Sequence, residues 1–222
     1  MFNSRPRSNI NENTFAKSLG LNEKELGILR RLDSPKKIQN FLNEIPINFE
    51  ENGDTCMSPR MVLKENKAHC IEGAMLAALA LRLHGEKPLV VDLTANGNDF
   101  DHVVCVFQRH GHWGAISKTN HAVLRYREPI YHDVRELVMS YFHEYFDDYG
   151  KKNLRSYSMP VDLSELDHLN WIASEENVWF VPNHLARVKH FPILNLRQIM
   201  NLRKADKTEI EAGKILEWKK EN

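Results

Sequence analysis

The sequence predicts an α+β protein in which a buried helix packs on an antiparallel sheet. From Cys70 to Leu83 the chain reads CIEGAMLAALALRL, which is rich in Ala and Leu and almost free of charge, and Gly85 follows it. This composition is typical of a helix of about four turns that is buried nearly all round. Residues 88–119 contain β-branched runs separated by a polar loop and by the two-residue turn His110-Gly111. They predict a meander of three strands behind the helix.

Composition sets limits on domain number and partner class. The chain has 222 residues, of which 42% are hydrophobic and 27% charged, as in ordinary globular domains. Thirty basic residues balance thirty acidic ones, so no global charge favours nucleic acid or an anionic membrane as the partner. We expect one domain over residues 14–222, with a helical C-terminal extension, behind a loose polar arm of residues 1–13.

The remaining elements follow from apolar spacing and helix-capping residues. Leucines between Leu21 and Leu32 predict a helix, and Ser34-Pro35 predicts the start of a second helix that runs to about Glu44. Residues 51–59 predict a surface crossing, and a further helix is predicted from Asp133. The segments beyond that helix have no clear type. The last fifteen residues predict an exposed helix.

The chain shows no apolar targeting segment and no run of about 18 apolar residues, so we expect a cytoplasmic protein without membrane contact. Its three cysteines are odd in number and lack CxxC spacing, which predicts at least one free thiol and neither a disulfide framework nor a zinc knuckle. Several histidines occur, but none has the spacing of a helical metal pair, so no metal and no cofactor are expected.

Cys70 and His102 are the residues that best fit a chemical role. A cysteine at a helix N-terminus has a lowered pKa, because unpaired backbone N–H groups favour the thiolate. His102 begins the predicted central strand, which should pack on the Cys70 helix and place a base near the thiol. The alternative is a buried cysteine beside a structural histidine, and spacing alone favours that alternative.

The hairpin register predicts which side chains share a face of the sheet. With a two-residue loop at 110–111, Arg109 faces His112 and His102 faces Thr119. One face then holds His102, Val104, Ser117 and Thr119, and the other holds Cys105 and Ile116. Cys105 is therefore expected in the core, and Cys56 lies in a loop with no base spaced to serve it.

Four stretches, AHCIEGAMLAALALRLHG, PLVVDL, DHVVCVF and GHWGAIS, resemble the core of the transglutaminase-like superfamily, a branch of the papain-like cysteine enzymes. The resemblance covers roughly residues 34–120. It implies a papain-like core in which Cys70 matches the nucleophile and His102 the general base. The longer string WGAISKTNHAVLRYR, with the SYFHEY segment, resembles an uncharacterised bacterial group within that superfamily.

One position departs from the family pattern. The family places an Asp fifteen residues after the His to orient it, and this chain has Ser117 there. A serine accepts a hydrogen bond but does not stabilise an imidazolium as a buried carboxylate does. Thr119, Asn120 and Asp92 are the alternative residues that could orient His102.

Together these features predict a thiol hydrolase or acyltransferase acting on an amide or thioester, with Cys70, His102 and Ser117 as catalytic residues. The alternative is a catalytically weak or inactive member of the fold that binds a peptide or protein partner. We expect His69, Trp113 and Asn120 to contact the substrate, which is expected to be a peptide or protein and not a nucleic acid. Arg125 and Arg127 are expected on an edge strand, on a solvated face or as an anion clamp. The oligomeric state stays open.

Overall fold

A computed structural model describes residues 12–97 and 99–220 of the chain. Its helices are α1 (Glu12–Ser18), α2 (Glu23–Arg31), α3 (Pro35–Glu44), α4 (Pro59–Glu65), α5 (Cys70–Leu83), α6 (Val134–Phe142), α7 (Phe180–Leu185), α8 (Leu196–Met200) and α9 (Lys207–Gly213), with a 3₁₀ helix at Leu163–Leu169. Its strands are β1 (Leu89–Thr94), β2 (His102–Arg109), β3 (His112–Ile116), β4 (Arg127–Tyr131), β5 (Ser156–Ser158), β6 (Val161–Asp162) and β7 (His190–Pro192). The protein is thus α+β.

The strands form one antiparallel sheet in the order β4-β3-β2-β1-β5-β7, with β6 paired to β1. The predicted meander is its centre, and the register pairs Arg109 with His112 and Cys105 with Ile116, as predicted. His110 and Gly111 have φ of 53° and 81°. Positive φ at both central residues is what a type I′ turn requires, and its twist matches that of the flanking strands.

Two hydrophobic clusters lie on the two faces of the sheet. On one face α5 packs on β2 and also contacts α2, α3 and α4, and Cys105 and Ile116 belong to this cluster. On the other face α6 packs on β3 and β4, and Val104 and Val106 belong to that cluster. Side chains along β2 therefore alternate between two cores, as the predicted register requires.

Lys118 fixes the start of α5 relative to α3. Its buried ammonium donates to the carbonyl oxygens of Leu42 and Ile45, at 2.7 and 2.6 Å, where α3 ends and its last carbonyls lack helical partners. The stem of the lysine lies so close to Gly73 that a Cβ there would be 2.6 Å from Lys118 Cβ. Glycine at position 73 is therefore what allows the first turn of α5 to lie against the chain that follows β3.

Strand β3 is shorter than predicted, because a glutamine side chain takes the hydrogen bonds that a neighbouring strand would otherwise make after Ile116. Gln39 of α3 accepts a hydrogen bond from the backbone N–H of Ser117 and donates one to its carbonyl, at 2.9 and 2.8 Å. These bonds satisfy the backbone of Ser117, so sheet pairing ends at Ile116.

The C-terminal helix is also shorter than predicted, since α9 ends at Gly213. Beyond it, the backbone pairs with the loop after β3: the Ile215 carbonyl accepts from Ala122 N–H, and Glu217 N–H donates to the Asn120 carbonyl. These tertiary bonds compete with helix formation for the same backbone groups. At the other end, helix α1 begins at Glu12, within the predicted arm, and the rest of that arm lies outside the described residues.

The two arginines near the edge strand β4 differ from expectation, because both are paired with protein carboxylates. Arg125 lies 3.0 Å from Glu217 and Arg127 lies 2.6 Å from Glu144. Arg127 also lies over the ring of Tyr141, 4.2 Å from its centroid. The two arginines are neither freely solvated nor open to bind an anion, because carboxylates from distant segments already pair with their guanidinium groups.

Candidate active site

The two candidate residues come together at the ends of packed elements. Cys70 is the first residue of α5, His102 is the first residue of β2, and α5 packs on β2. The helix begins here because His69 has extended backbone dihedrals, φ −100° and ψ −171°, and the buried Glu72 accepts from the His69 N–H at 2.9 Å. The Cys70 side chain is half-buried, and the imidazoles of His102 and His69 both interact with it and lower the pKa of its thiol.

Ser117 orients His102 through a chain of hydrogen bonds. Its hydroxyl donates to the carbonyl oxygen of Leu124 at 2.6 Å, because a carbonyl only accepts. The hydroxyl oxygen is then free to accept from His102 Nε2, which lies 2.8 Å away. When the proton of a neutral His102 ring is on Nε2, the Nδ1 atom is unprotonated and accepts a hydrogen bond. His102 is thereby held in the tautomer that is able to take a proton from Cys70.

The other three residues weighed for this role are bonded elsewhere. The Thr119 hydroxyl accepts from the His121 N–H at 3.1 Å. The Asn120 amide makes two bonds, at 2.9 and 2.8 Å, with the backbone of Trp218. Asp92 lies 3.1 Å from the Nε2 atom of His190. Among the described residues, Ser117 is the partner that His102 Nε2 contacts.

His69 lies against oxygen atoms and not against the cleft. Its Nε2 atom is 3.0 Å from the Thr55 carbonyl, 3.3 Å from Glu72 Oε1 and 3.6 Å from Glu50 Oε1. His69 is not among the residues that line the cleft, so its contact with a substrate stays a prediction. Glu72 was not predicted as a site residue, although an acidic residue three positions after a helix N-cap is the signature of a capping box.

The three cysteines differ sharply in acidity. Burial by itself raises the pKa of Cys70, but the hydrogen bonds from His102 and His69 outweigh burial and lower it to about 5. Burial and the nearby carboxylates of Glu72 and Glu50 raise the pKa of Cys56 to about 12. Burial likewise raises the pKa of Cys105 well above its ordinary value. Only Cys70 is then a thiolate at neutral pH.

Cys70 and His102 open into a cleft of about 370 Å³. One side is formed by the loop after β3, including Thr119 and Asn120, and the other by the segment after α6, including Tyr145. Carboxylates without an ion-pair partner in the described part of the chain lie along its rim, namely Asp99, Asp101, Asp147 and Asp148. The segment after α6 was not assigned to the site from sequence, because nothing local marks it as lining a cleft.

Trp113 does not line this cleft. It pairs with Gln108 near the turn of the β2–β3 hairpin and packs against the cluster on the α6 face. Trp113 thus lies at the turn end of the hairpin, away from His102, and its contact with a substrate stays a prediction that its position does not support. Asn120 does line the cleft, but its amide is engaged by Trp218.

Neither a cluster of metal ligands nor a membrane-spanning helix is found in the described parts of the chain. Across residues 12–97 and 99–220, no three His, Cys, Asp or Glu side chains are arranged to hold a metal ion. No helix in the same ranges is long and apolar enough to cross a bilayer.

Comparison with models of known protein families and with curated protein sequences gives no match to this chain. Function is therefore inferred from the geometry around Cys70.

Proposed function

We propose that the protein is a thiol-dependent acyl hydrolase or acyltransferase of the transglutaminase-like, papain-like type, acting on an amide or a thioester. The observation that carries the proposal is that Cys70 and His102 line one cleft, that His102 lowers the pKa of Cys70, and that Ser117 hydrogen-bonds His102 Nε2 at 2.8 Å. It joins a nucleophile at a helix N-terminus to a base whose tautomer is fixed. The resemblance of residues 34–120 to that superfamily supports the same assignment.

The proposed reaction starts from the Cys70 thiolate, whose proton the free ring nitrogen of His102 has accepted. The thiolate then attacks the carbonyl carbon, and backbone N–H groups at the start of α5 stabilise the oxyanion. His102 returns the proton to the departing amine or thiol as the carbonyl re-forms, which leaves the acyl group on Cys70 as a thioester. Water or an amine then attacks that thioester, with His102 accepting its proton, and the free thiolate is restored.

Selective alkylation tests the nucleophile. Iodoacetamide is uncharged, so its rate reports the thiolate fraction and not attraction by the acidic rim. We expect peptide mapping at neutral pH to find label on Cys70 well before Cys56 or Cys105, which act as internal controls. The rate should follow ionisation near pH 5. Equal labelling of all three cysteines, or a Cys70 midpoint near 9, would contradict the proposal.

Acyl transfer is tested separately with p-nitrophenyl acetate. We expect intact-mass analysis to detect an acetyl group on Cys70 that disappears on standing or on addition of an amine, and that is absent in Cys70→Ala and slowed in His102→Ala. Chymotryptic mapping should place the group on the peptide that contains Cys70.

A second candidate function, binding of a peptide or protein by an inactive fold, is favoured by one observation. Ser117 gives His102 a neutral partner, and loss of the carboxylate in the Ser-His-Asp template costs about 10⁴ in kcat. A Cys70 that alkylates quickly but retains its acetyl group indefinitely would favour this binding function.

A further inference from the structure

His69 is a second imidazole on the Cys70 thiol, and its surroundings differ from those of His102. Its Nε2 atom faces the Thr55 carbonyl at 3.0 Å and the carboxylates of Glu72 and Glu50 at 3.3 and 3.6 Å. All three are acceptors, so this nitrogen carries a proton. Cys70, the next residue along the chain, also interacts with the ring and raises its pKa. A thiolate beside a ring whose Nε2–H already faces a carbonyl and two carboxylates favours a second proton on that ring, which is then an imidazolium.

Glu72 is the anion that stabilises this charge. Its side chain is fully buried and accepts four further hydrogen bonds, from Thr55 Oγ, Met57 N–H, His69 N–H and Asn48 Nδ2, at 2.8, 2.8, 2.9 and 3.1 Å. A carboxylate with that many donors stays ionised, and the hydrogen bond from His69 lowers its pKa further, against the effect of burial. His102, in contrast, has only the neutral Ser117 hydroxyl at its far nitrogen.

We propose that His69 is the fixed cation of the site: held protonated by Glu72, it stabilises the Cys70 thiolate and takes the place of the charge that Ser117 does not supply. This rests on the proposed function and divides the work of the two imidazoles. His102 gains the Cys70 proton and later gives it to the leaving group, while His69 keeps both of its protons throughout. His69 touches the reacting sulfur, and Glu72 acts through it as a positioning residue.

The charges around the thiol support this division. The titratable groups that interact with Cys70 or His69 are Glu72 on α5, His102 on β2, Asp92 on β1, Glu50 and Cys56 in the loop before α4, and Tyr145 after α6. Apart from the two imidazoles, none of these groups is cationic. Among these titratable groups, the two imidazoles are therefore the ones whose charge favours the thiolate. Interactions of His69 with Cys70 and with the carboxylate of Glu72 outweigh burial and raise the pKa of His69.

The test compares two substitutions that differ in charge at one position, His69→Gln and His69→Lys. Both keep an N–H donor for the Thr55 carbonyl and leave the backbone bond to Glu72 intact, and only the lysine is cationic. We expect His69→Gln to raise the pH midpoint of Cys70 alkylation by about 1–3 units, the shift that an adjacent opposite charge produces. We expect His69→Lys to leave the pH midpoint of Cys70 alkylation close to its low wild-type value. Melting temperatures of both variants control for folding.

Each outcome separates this proposal from the proposed function. An ordinary midpoint in the wild-type chain contradicts both. A low wild-type midpoint that neither variant changes, or that both variants raise equally, overturns the role of His69 and leaves the Cys70–His102 reaction standing.

If the variants fail to fold, imidazole ¹⁵N spectra of the wild-type chain decide the question. We expect both His69 nitrogens to remain protonated across pH 5–9. A neutral His69 at pH 7 would overturn the proposal. Cys70→Ala provides the matched control, since it removes the thiolate but leaves Glu72 in place.

Discussion

At the scale of single residues, the Ser117 hydroxyl is the smallest group on which the candidate site depends. It is buried, and it joins two groups that would otherwise lack partners, the His102 Nε2–H and the Leu124 carbonyl. A carboxylate at this position would accept from His102 but would face the Leu124 oxygen with no proton to share. The local geometry therefore fits a hydroxyl better than the Asp of the resembling family.

We accordingly expect Ser117→Ala to slow Cys70 acetylation and to destabilise the protein by about 1–3 kcal/mol, because a buried ring N–H loses its acceptor. Ser117→Thr is the matched control, since it keeps the hydroxyl, and it should retain most of the rate. Urea denaturation and the acetylation rate measure the two effects. Equal rates in wild type and Ser117→Ala would show that Ser117 does not orient His102.

At the scale of elements, the site depends on how closely α5 approaches the chain after β3. Gly73 permits that approach, because any Cβ there would overlap the stem of Lys118. Lys118 in turn ties the end of α3 to this junction. Burial lowers the pKa of Lys118 to about 8, so this tie weakens in mildly alkaline solution.

Two glycine-to-alanine substitutions in helices should change the melting temperature in opposite directions. Alanine is favoured over glycine in a helix by about 1 kcal/mol. At Gly27 in α2, where a Cβ meets nothing within 4 Å, we expect Gly27→Ala to raise the melting temperature. At Gly73 the overlap costs about 1–3 kcal/mol, so Gly73→Ala should lower it. Thermal unfolding of both variants tests this, and a more stable Gly73→Ala would mean that Lys118 moves aside easily.

At the scale of the whole molecule, residues far apart in sequence enclose the cleft. The end of α9 and the segment after it hold the loop after β3 in place, through the bonds of Gly213 to His121 and of Trp218 to Asn120. Residues near positions 70, 102, 117, 145 and 213 thus line one cavity or support its wall. Folding of the whole chain is what brings the thiol and its base together, so ionisation of Cys70 is linked to global stability.

The pKa of Cys70 determines the direction in which stability changes with pH. The pKa of Cys70 is lowered from 9 to about 5 on folding, so the folded state loses the thiol proton at a lower pH than the unfolded state does. The stabilisation of the folded state by the Cys70 thiolate is complete above about pH 9, and it is lost as the pH falls through 5. The free energy of unfolding of the wild type relative to Cys70→Ala should therefore increase with pH between these limits, by at most about 1.4 kcal/mol per pH unit.

Urea denaturation of both proteins under reducing conditions, at about pH 5.5, 7 and 8.5, measures this difference. Groups that do not interact with Cys70 titrate in both proteins and cancel, whereas His69, whose pKa Cys70 raises, contributes where its protonation differs between the two proteins. A difference that is the same at every pH would show that the Cys70 thiol ionises alike in the folded and unfolded chains.

The sequence by itself determined the elements whose signals are local. Helix α5 and strand β2 have the predicted bounds, because an uncharged Ala/Leu run and a two-residue turn at His110-Gly111 each restrict the backbone directly. The turn also sets the register, and a side-chain period of two then places Ser117 on the His102 face. No distant contact is needed for any of these inferences.

Only the tertiary structure decided the contacts that join separate segments. Nothing local in the sequence chooses Ser117 over Asn120 as the partner of His102; the choice follows because Trp218, almost a hundred residues later, engages the Asn120 amide. The same holds for Gln39, which ends β3, and for the position of Trp113 away from the cleft. Polar side chains take the nearest available partners in the folded chain, and which partners are near is settled by packing of the whole molecule.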